Sequence, residues 1–129
     1  MNVQQLESTA KELVTEGKGL LAADESFGTI GKRFEAVGIE PTEETRRQYR
    51  EMLFTTEGIN EYLSGVILFD ETIRQESSDG RLLPRVLEDQ GIIPGIKVPS
   101  EVSWWMVSSK RITPERNSPM PSVEKSISL

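Results

Sequence analysis

Two charged residues stand where apolar runs stop. Leu20-Leu21-Ala22-Ala23 leads into Asp24, and Ile92-Ile93-Pro94-Gly95-Ile96 leads into Lys97. A charge set directly after an apolar run is costly to bury unless something pairs with it. If both runs are parallel strands, both charges lie at C-terminal strand ends, where α/β folds keep their chemistry. An acid and an amine facing one pocket can hold each other charged, move protons and bind an anionic substrate. On spacing alone, a structural salt bridge or two unrelated exposed charges is the stronger reading.

A second group follows Asp24. Ser26 and Thr29 flank Gly28 just ahead of an expected helix, with Arg33 one turn further on. Hydroxyls, loop amides and a helix N-terminus together suit a phosphate, and Arg33 adds a charge-assisted contact. Ordinary capping by Thr29, with Arg33 on a solvated face, explains the same residues about as well. The glycine pattern matches neither a P-loop nor a dinucleotide fingerprint. Arg46, Arg47 and Arg50 are interleaved with Glu43, Glu44 and Glu51 and read as a solvated helix face, not a nucleic-acid site. Glu71 and Thr72 read as loop residues.

The composition removes several chemistries. The 129 residues contain no cysteine and no histidine. That excludes disulfides, thiolate metal sites, cysteine nucleophiles and the commonest general base and zinc ligand. Acid–base work falls to carboxylates, lysines, tyrosines or serines. A net charge of −6 argues against non-specific nucleic-acid binding. No apolar run reaches the ~20 residues of a membrane span. The N-terminal residues lack the basic and apolar regions of a signal peptide, so a cytoplasmic location is expected.

The elements that must position the charged residues follow from periodicity. Val3, Leu6, Ala10, Leu13 and Val14 predict an amphipathic helix, and Gly17 and Gly19 end it. Ile30, Phe34 and Val37 predict a second helix, capped by Thr29 and stopped at Gly38. A third starts at Glu40-Pro41, with Tyr49, Met52 and Leu53 buried and Glu43–Arg47 and Arg47–Glu51 pairs outside. Tyr62–Asp70 carries the apolar core Val66-Ile67-Leu68-Phe69, which suits a strand covered on both faces. Pro84 opens a short helix with Leu83, Val86 and Leu87 inward, closed at Gly91, before the strand that reaches Lys97. Helix, strand, two helices, strand, helix, strand means an α/β fold with about three parallel strands joined by crossover helices.

After Val98 the character changes. From Pro99 to Leu129, 12 of 31 residues are Ser or Pro, and apolar periodicity stops beyond Met106-Val107. Residues 1–98 read as one domain and 99–129 as a poorly ordered tail, in which Val102–Val107, with the Trp104-Trp105 pair, makes a short apolar contact.

The motifs GKGLLAADES…GKR, PTEETRRQYREML, SGVILFDET, DGRLLP and GIKV, in this order over residues 4–98, resemble class I fructose-1,6-bisphosphate aldolase. The resemblance implies the N-terminal part of a (β/α)₈ TIM barrel from a cytoplasmic, homotetrameric lyase of glycolysis. Such an enzyme cleaves fructose 1,6-bisphosphate to dihydroxyacetone phosphate and glyceraldehyde 3-phosphate through a Schiff base, with no metal or cofactor. It implies that Asp24 assists proton transfers around the carbinolamine and Schiff base, and that Lys97 adds positive charge to the pocket. Ser26, Thr29 and Arg33 match positions around the substrate's C6 phosphate. After GIKV the family's Asp-Lys-Gly is replaced by Pro99-Ser100-Glu101, and the Schiff-base lysine falls on a later strand. The resemblance therefore implies that this chain alone is inactive. The alternative is a non-catalytic fragment that associates with intact aldolase subunits.

Overall fold

The computed structural model describes residues 2–97 and the backbone of residues 104–106. Strands β1 (Gly19–Ala23), β2 (Leu63–Leu68) and β3 (Ile93–Lys97) form a parallel sheet in the order 1-2-3. Helix α1 (Val3–Leu13) precedes β1. Helices α2 (Phe27–Ala36), α3 (Glu43–Phe54) and the one-turn α4 (Ile59–Tyr62) connect β1 to β2. A 3₁₀ turn over Asp70–Arg74 and helix α5 (Leu83–Glu88) connect β2 to β3. A short fourth strand, β4 (Trp104–Met106), runs antiparallel to β3. The rest of the 99–129 segment, including the expected tail, lies outside the described residues.

Successive strand residues face opposite sides of a sheet. In register, Leu21 pairs with Val66 and Ala23 with Leu68, and these pair in turn with Pro94 and Ile96. Ala23, Val66 and Leu68 pack with Phe54 of α3 and Leu83, Val86 and Leu87 of α5 in one core. Leu20, Ala22, Gly65, Ile67, Ile93 and Gly95 alternate with this set and so occupy the opposite face. That face is open: Leu20 is 55% exposed. The end of α1 reaches it. The Ser64 hydroxyl donates to the Leu13 carbonyl at 2.6 Å, and the Leu13 side chain lies over Gly65.

Gly65 has no room for a side chain. A Cβ there would sit 2.8 Å from Leu13 Cδ2, 2.9 Å from Leu20 Cδ2 and 3.1 Å from the Ile93 carbonyl oxygen. The two leucine tips can swing away, but the carbonyl belongs to the neighbouring strand. Gly65→Ala is expected to cost about 1–3 kcal/mol by overpacking, read from urea denaturation. A neutral substitution means that β2 and β3 can part enough here to admit a methyl group.

Several predicted boundaries move. Ser26, not Thr29, occupies the N-cap of α2, and Val37 is exposed. Gly38 adopts φ of +73°, the left-handed conformation expected of a helix stop. Helix α3 starts at Glu43 behind a Thr42–Thr45 capping box, so Pro41 lies just outside it. Arg47 pairs with Glu44 and Glu51. Met52 is exposed and Arg50 is buried, the reverse of the expected faces. The apolar stripe of α1 is likewise uncovered, with Val3 and Leu6 exposed.

Glu51 ties α3 to the loop after β2. Its carboxylate accepts from the Ser78 backbone N–H at 2.7 Å and from Arg47. The Ser78 N–H first, then Arg47 and the Ser78 hydroxyl, hold its pKa below the usual 4.5. A carboxyl whose folded pKa is depressed stabilises the fold above its unfolded pKa and loses that contribution as pH falls. Stability is therefore expected to drop as pH falls below about 4.5. Glu51→Gln should flatten part of that drop in urea midpoints measured across pH.

Candidate functional site

Asp24 and Lys97 come together. Asp24 follows Ala23 and Lys97 follows Ile96 in strands that flank β2, so one further step of the pleat puts both on the open face. Asp24 Oδ2 lies 3.1 Å from Lys97 Nζ. The Asp24 side chain is 14% exposed and that of Lys97 is 56% exposed. A solvent-facing pair of this kind adds only about 0–1 kcal/mol to stability. Holding the fold together is thus a minor part of what the pair can do. It offers a carboxylate and an accessible ammonium at one strand rim.

The turn after β1 is held by two arginines. Glu25 Oε1 accepts from Arg33 Nη1 of α2 at 2.6 Å. Arg50 Nη2 of α3 donates to the Glu25 carbonyl oxygen at 2.9 Å and lies 3.5 Å from Glu25 Oε2. Ser26 and Thr29 face each other through their hydroxyls at 3.2 Å, both on exposed residues. The Ser26 side chain makes no capping bond to the helix backbone. Arg33 is 59% exposed, and its contact is with Glu25, not with the two hydroxyls.

A second pairing closes the rim between α3 and β2. Arg46 forms a two-pronged salt bridge to Glu71, with both contacts at 2.8 Å. Its guanidinium carbon lies 4.6 Å above the Phe27 ring, which meets Phe69 edge-on at 5.1 Å. The Glu71 hydrogen bond raises the Arg46 pKa, whereas burial lowers that of Arg50. A depression of about 340 Å³ adjoins Phe27 and Phe69 beside Asp70 and Glu71, and it includes neither Asp24 nor Lys97. The pair stands instead on the open side of the sheet.

Along this rim Arg33 and Arg50 pair with Glu25, Arg46 with Glu71, Arg74 with Asp70 and Lys97 with Asp24. Of these cations Arg33, Arg74 and Lys97 are more than half exposed and can meet an anionic ligand. Among the described residues, no group of His, Cys, Asp or Glu is arranged to hold a metal ion. No helix among them is long and apolar enough to cross a membrane.

The residues missed in the sequence are Glu25, Arg46, Arg50 and Glu71. Arg46, Arg50 and Phe54 fall at four-residue spacing along α3 and form the stripe that faces inward. Two of the three are charged, so apolar periodicity did not register them.

A family model described as Glycolytic: Fructose-bisphosphate aldolase class-I matches residues 5–115. A probable fructose-bisphosphate aldolase class 1 of Xylella fastidiosa (strain 9a5c) is 57% identical over 98 residues, covering 76% of this chain and 29% of that protein. Fructose-bisphosphate aldolase 1 of Caenorhabditis elegans is 54% identical over 95 residues, covering 73% of this chain and 26% of the relative. A solved structure of the fructose-bisphosphate aldolase of Plasmodium falciparum, in complex with TRAP and a small-molecule inhibitor, superposes with a TM-score of 0.71 at 48% identity. That match covers 74% of this chain and 27% of the other. The chain spans less than a third of the length of the curated relatives it matches.

Proposed function

The chain belongs to the class I fructose-bisphosphate aldolase family, and from that premise we propose that it supplies one flank of an aldolase active site. Its three parallel strands are part of a TIM barrel. The reaction proposed is reversible cleavage of fructose 1,6-bisphosphate to dihydroxyacetone phosphate and glyceraldehyde 3-phosphate. A lysine outside these residues forms the imine that accepts the electron pair when the C3–C4 bond breaks. Asp24 exchanges protons with the oxygen and nitrogen atoms of the carbinolamine, and Lys97 offers charge to the substrate. Ser26 and Thr29, with the uncapped amides of α2, take a phosphate, and Arg33 exchanges Glu25 for it. Without the imine-forming lysine, the 129 residues bind the sugar phosphate but do not cleave it.

The observation that supports this reading is the 3.1 Å contact between Asp24 and an exposed Lys97 at the C-terminal strand rim. Titration of the isotopically labelled chain with fructose 1,6-bisphosphate tests it. The expected result is saturable shifts of amides 24–33 and of the Lys97 side chain, with α1 unmoved. Shifts spread evenly over the surface, or none, contradict it.

A second reading, association with intact aldolase subunits, is favoured by the free edge of β1. Among the described residues β1 pairs only with β2, and Leu20 beside that edge is exposed. An unpaired edge next to an apolar face is a template for another strand. Co-purification with a full-length aldolase tests this reading, and a monodisperse monomer in its presence contradicts it.

A further inference from the structure

We propose that Arg50 is a positioning residue that fixes the turn carrying Asp24. This rests on the reading of Asp24 as a site residue, though its structural core stands without that reading. Arg50 is wholly buried, yet it lies on a helix whose composition points to a solvated face. Its Nη2 donates to the main-chain carbonyl of Glu25, the residue immediately after Asp24, at 2.9 Å. The same nitrogen lies 3.5 Å from Glu25 Oε2. Its Nε and Nη1, and Glu25 Oε2, have no hydrogen-bond partner among the described residues. A buried guanidinium with unmet donors is costly, and a hydrophobic residue of similar volume would cost less. Stability therefore does not account for it.

The placement of the contacts does. The turn between β1 and α2 makes a sharp change of direction, and its two acids lie next to each other in sequence. Left free, the Glu25 carbonyl could rotate, and the turn that joins Asp24 to α2 would loosen with it. Arg50 fixes that carbonyl from α3, while Arg33 holds the Glu25 side chain from α2 at 2.6 Å. The carboxylate of Glu25 is thus held between two arginines, and that of Asp24 is left to face Lys97 on the open side. Both contacts are made through Nη2, one nitrogen of a planar guanidinium; a lysine ammonium keeps a charge there without that planar shape.

Amide hydrogen exchange on the full 129-residue chain separates positioning from general stabilisation. The Ile30 amide closes the first turn of α2 on the Ser26 carbonyl at 3.0 Å and reports the turn. The Leu83 and Ile92 amides, bonded to Gln75 and Leu87 carbonyls, report the core. In Arg50→Met, exchange at Ile30 is expected to rise about tenfold while Leu83 and Ile92 change by less than about twofold. Arg50→Lys, which keeps the charge and one donor, should give an intermediate rise confined to the same turn. If Arg50→Met does not fold, the pattern in Arg50→Lys decides. An equal rise at all three amides, or none at Ile30, overturns the proposal.

Binding gives the second readout. Arg50→Met should weaken fructose 1,6-bisphosphate about tenfold, with partial rescue in Arg50→Lys, although no atom of Arg50 reaches solvent. Unchanged affinity in a variant with a loosened turn removes the link from Arg50 to the site. If the unsubstituted chain does not bind the sugar phosphate, the functional reading fails, and the exchange pattern still decides whether Arg50 holds the turn.

Discussion

Phe54→Ala leaves much of the chain unfolded in the absence of denaturant. Phe54 is fully buried where the last turn of α3 meets the sheet. It packs in the same core as Val66 and Leu68 of β2 and Leu83, Val86 and Leu87 of α5. Its carbonyl oxygen also accepts from Gln90 Nε2 at 2.7 Å, which ties α3 to the turn after α5. Removing a phenyl ring from such a site costs about 3–5 kcal/mol, the lost transfer free energy plus the cavity left behind. Whole domains are stable by only about 5–15 kcal/mol. This chain also has less to draw on, since the open face of its sheet and the stripe of α1 bury little. Urea denaturation followed by circular dichroism measures the effect. A cost below about 1 kcal/mol would mean that α3 and α5 do not share this core.

Lys97→Met has the largest expected effect on ligand binding. It removes an accessible ammonium, and it leaves Asp24 without its partner at 3.1 Å. Hydrogen bonds to charged groups contribute about 1.5–3 kcal/mol. Affinity for fructose 1,6-bisphosphate should therefore fall about ten- to hundredfold. Lys97→Arg keeps the charge and should lose much less. Because Lys97 is more than half exposed, its attraction is screened by salt. Raising ionic strength should thus weaken the unsubstituted chain more than Lys97→Met, in isothermal titrations at two salt concentrations. Equal affinity in the two proteins would move the phosphate away from the Asp24–Lys97 rim.

Much of this architecture was legible in the sequence. The three strands were marked by apolar runs, and the reversal of charge at their ends singled out Asp24 and Lys97. Strand parity explains why that worked. Each charged residue follows its run by one position, so both fall on the same face of the sheet. The helix faces were read less well, for two physical reasons. The stripe of α1 looks like a core face in the sequence, but Val3 and Leu6 are not covered by the described residues. The buried stripe of α3 begins with two arginines whose partners, Glu25 and Glu71, lie on other elements. Charge patterning within one helix cannot reveal such pairings, so Arg50 was read as solvated. The cap of α2 moved from Thr29 to Ser26 by the few residues over which local cap chemistry is ambiguous.

The claim on which the rest depends is that these residues are one flank of an aldolase site completed by strands outside them. Reconstitution tests it most directly. The 129-residue chain is mixed with a polypeptide carrying the remainder of the Xylella fastidiosa relative, and cleavage of fructose 1,6-bisphosphate is followed with borohydride trapping. The account predicts no cleavage by either part alone and cleavage on mixing. It also predicts a trapped adduct on the complementing polypeptide and loss of activity when Asp24→Asn is introduced here. An adduct on Lys97, or cleavage that is indifferent to Asp24→Asn, would contradict it.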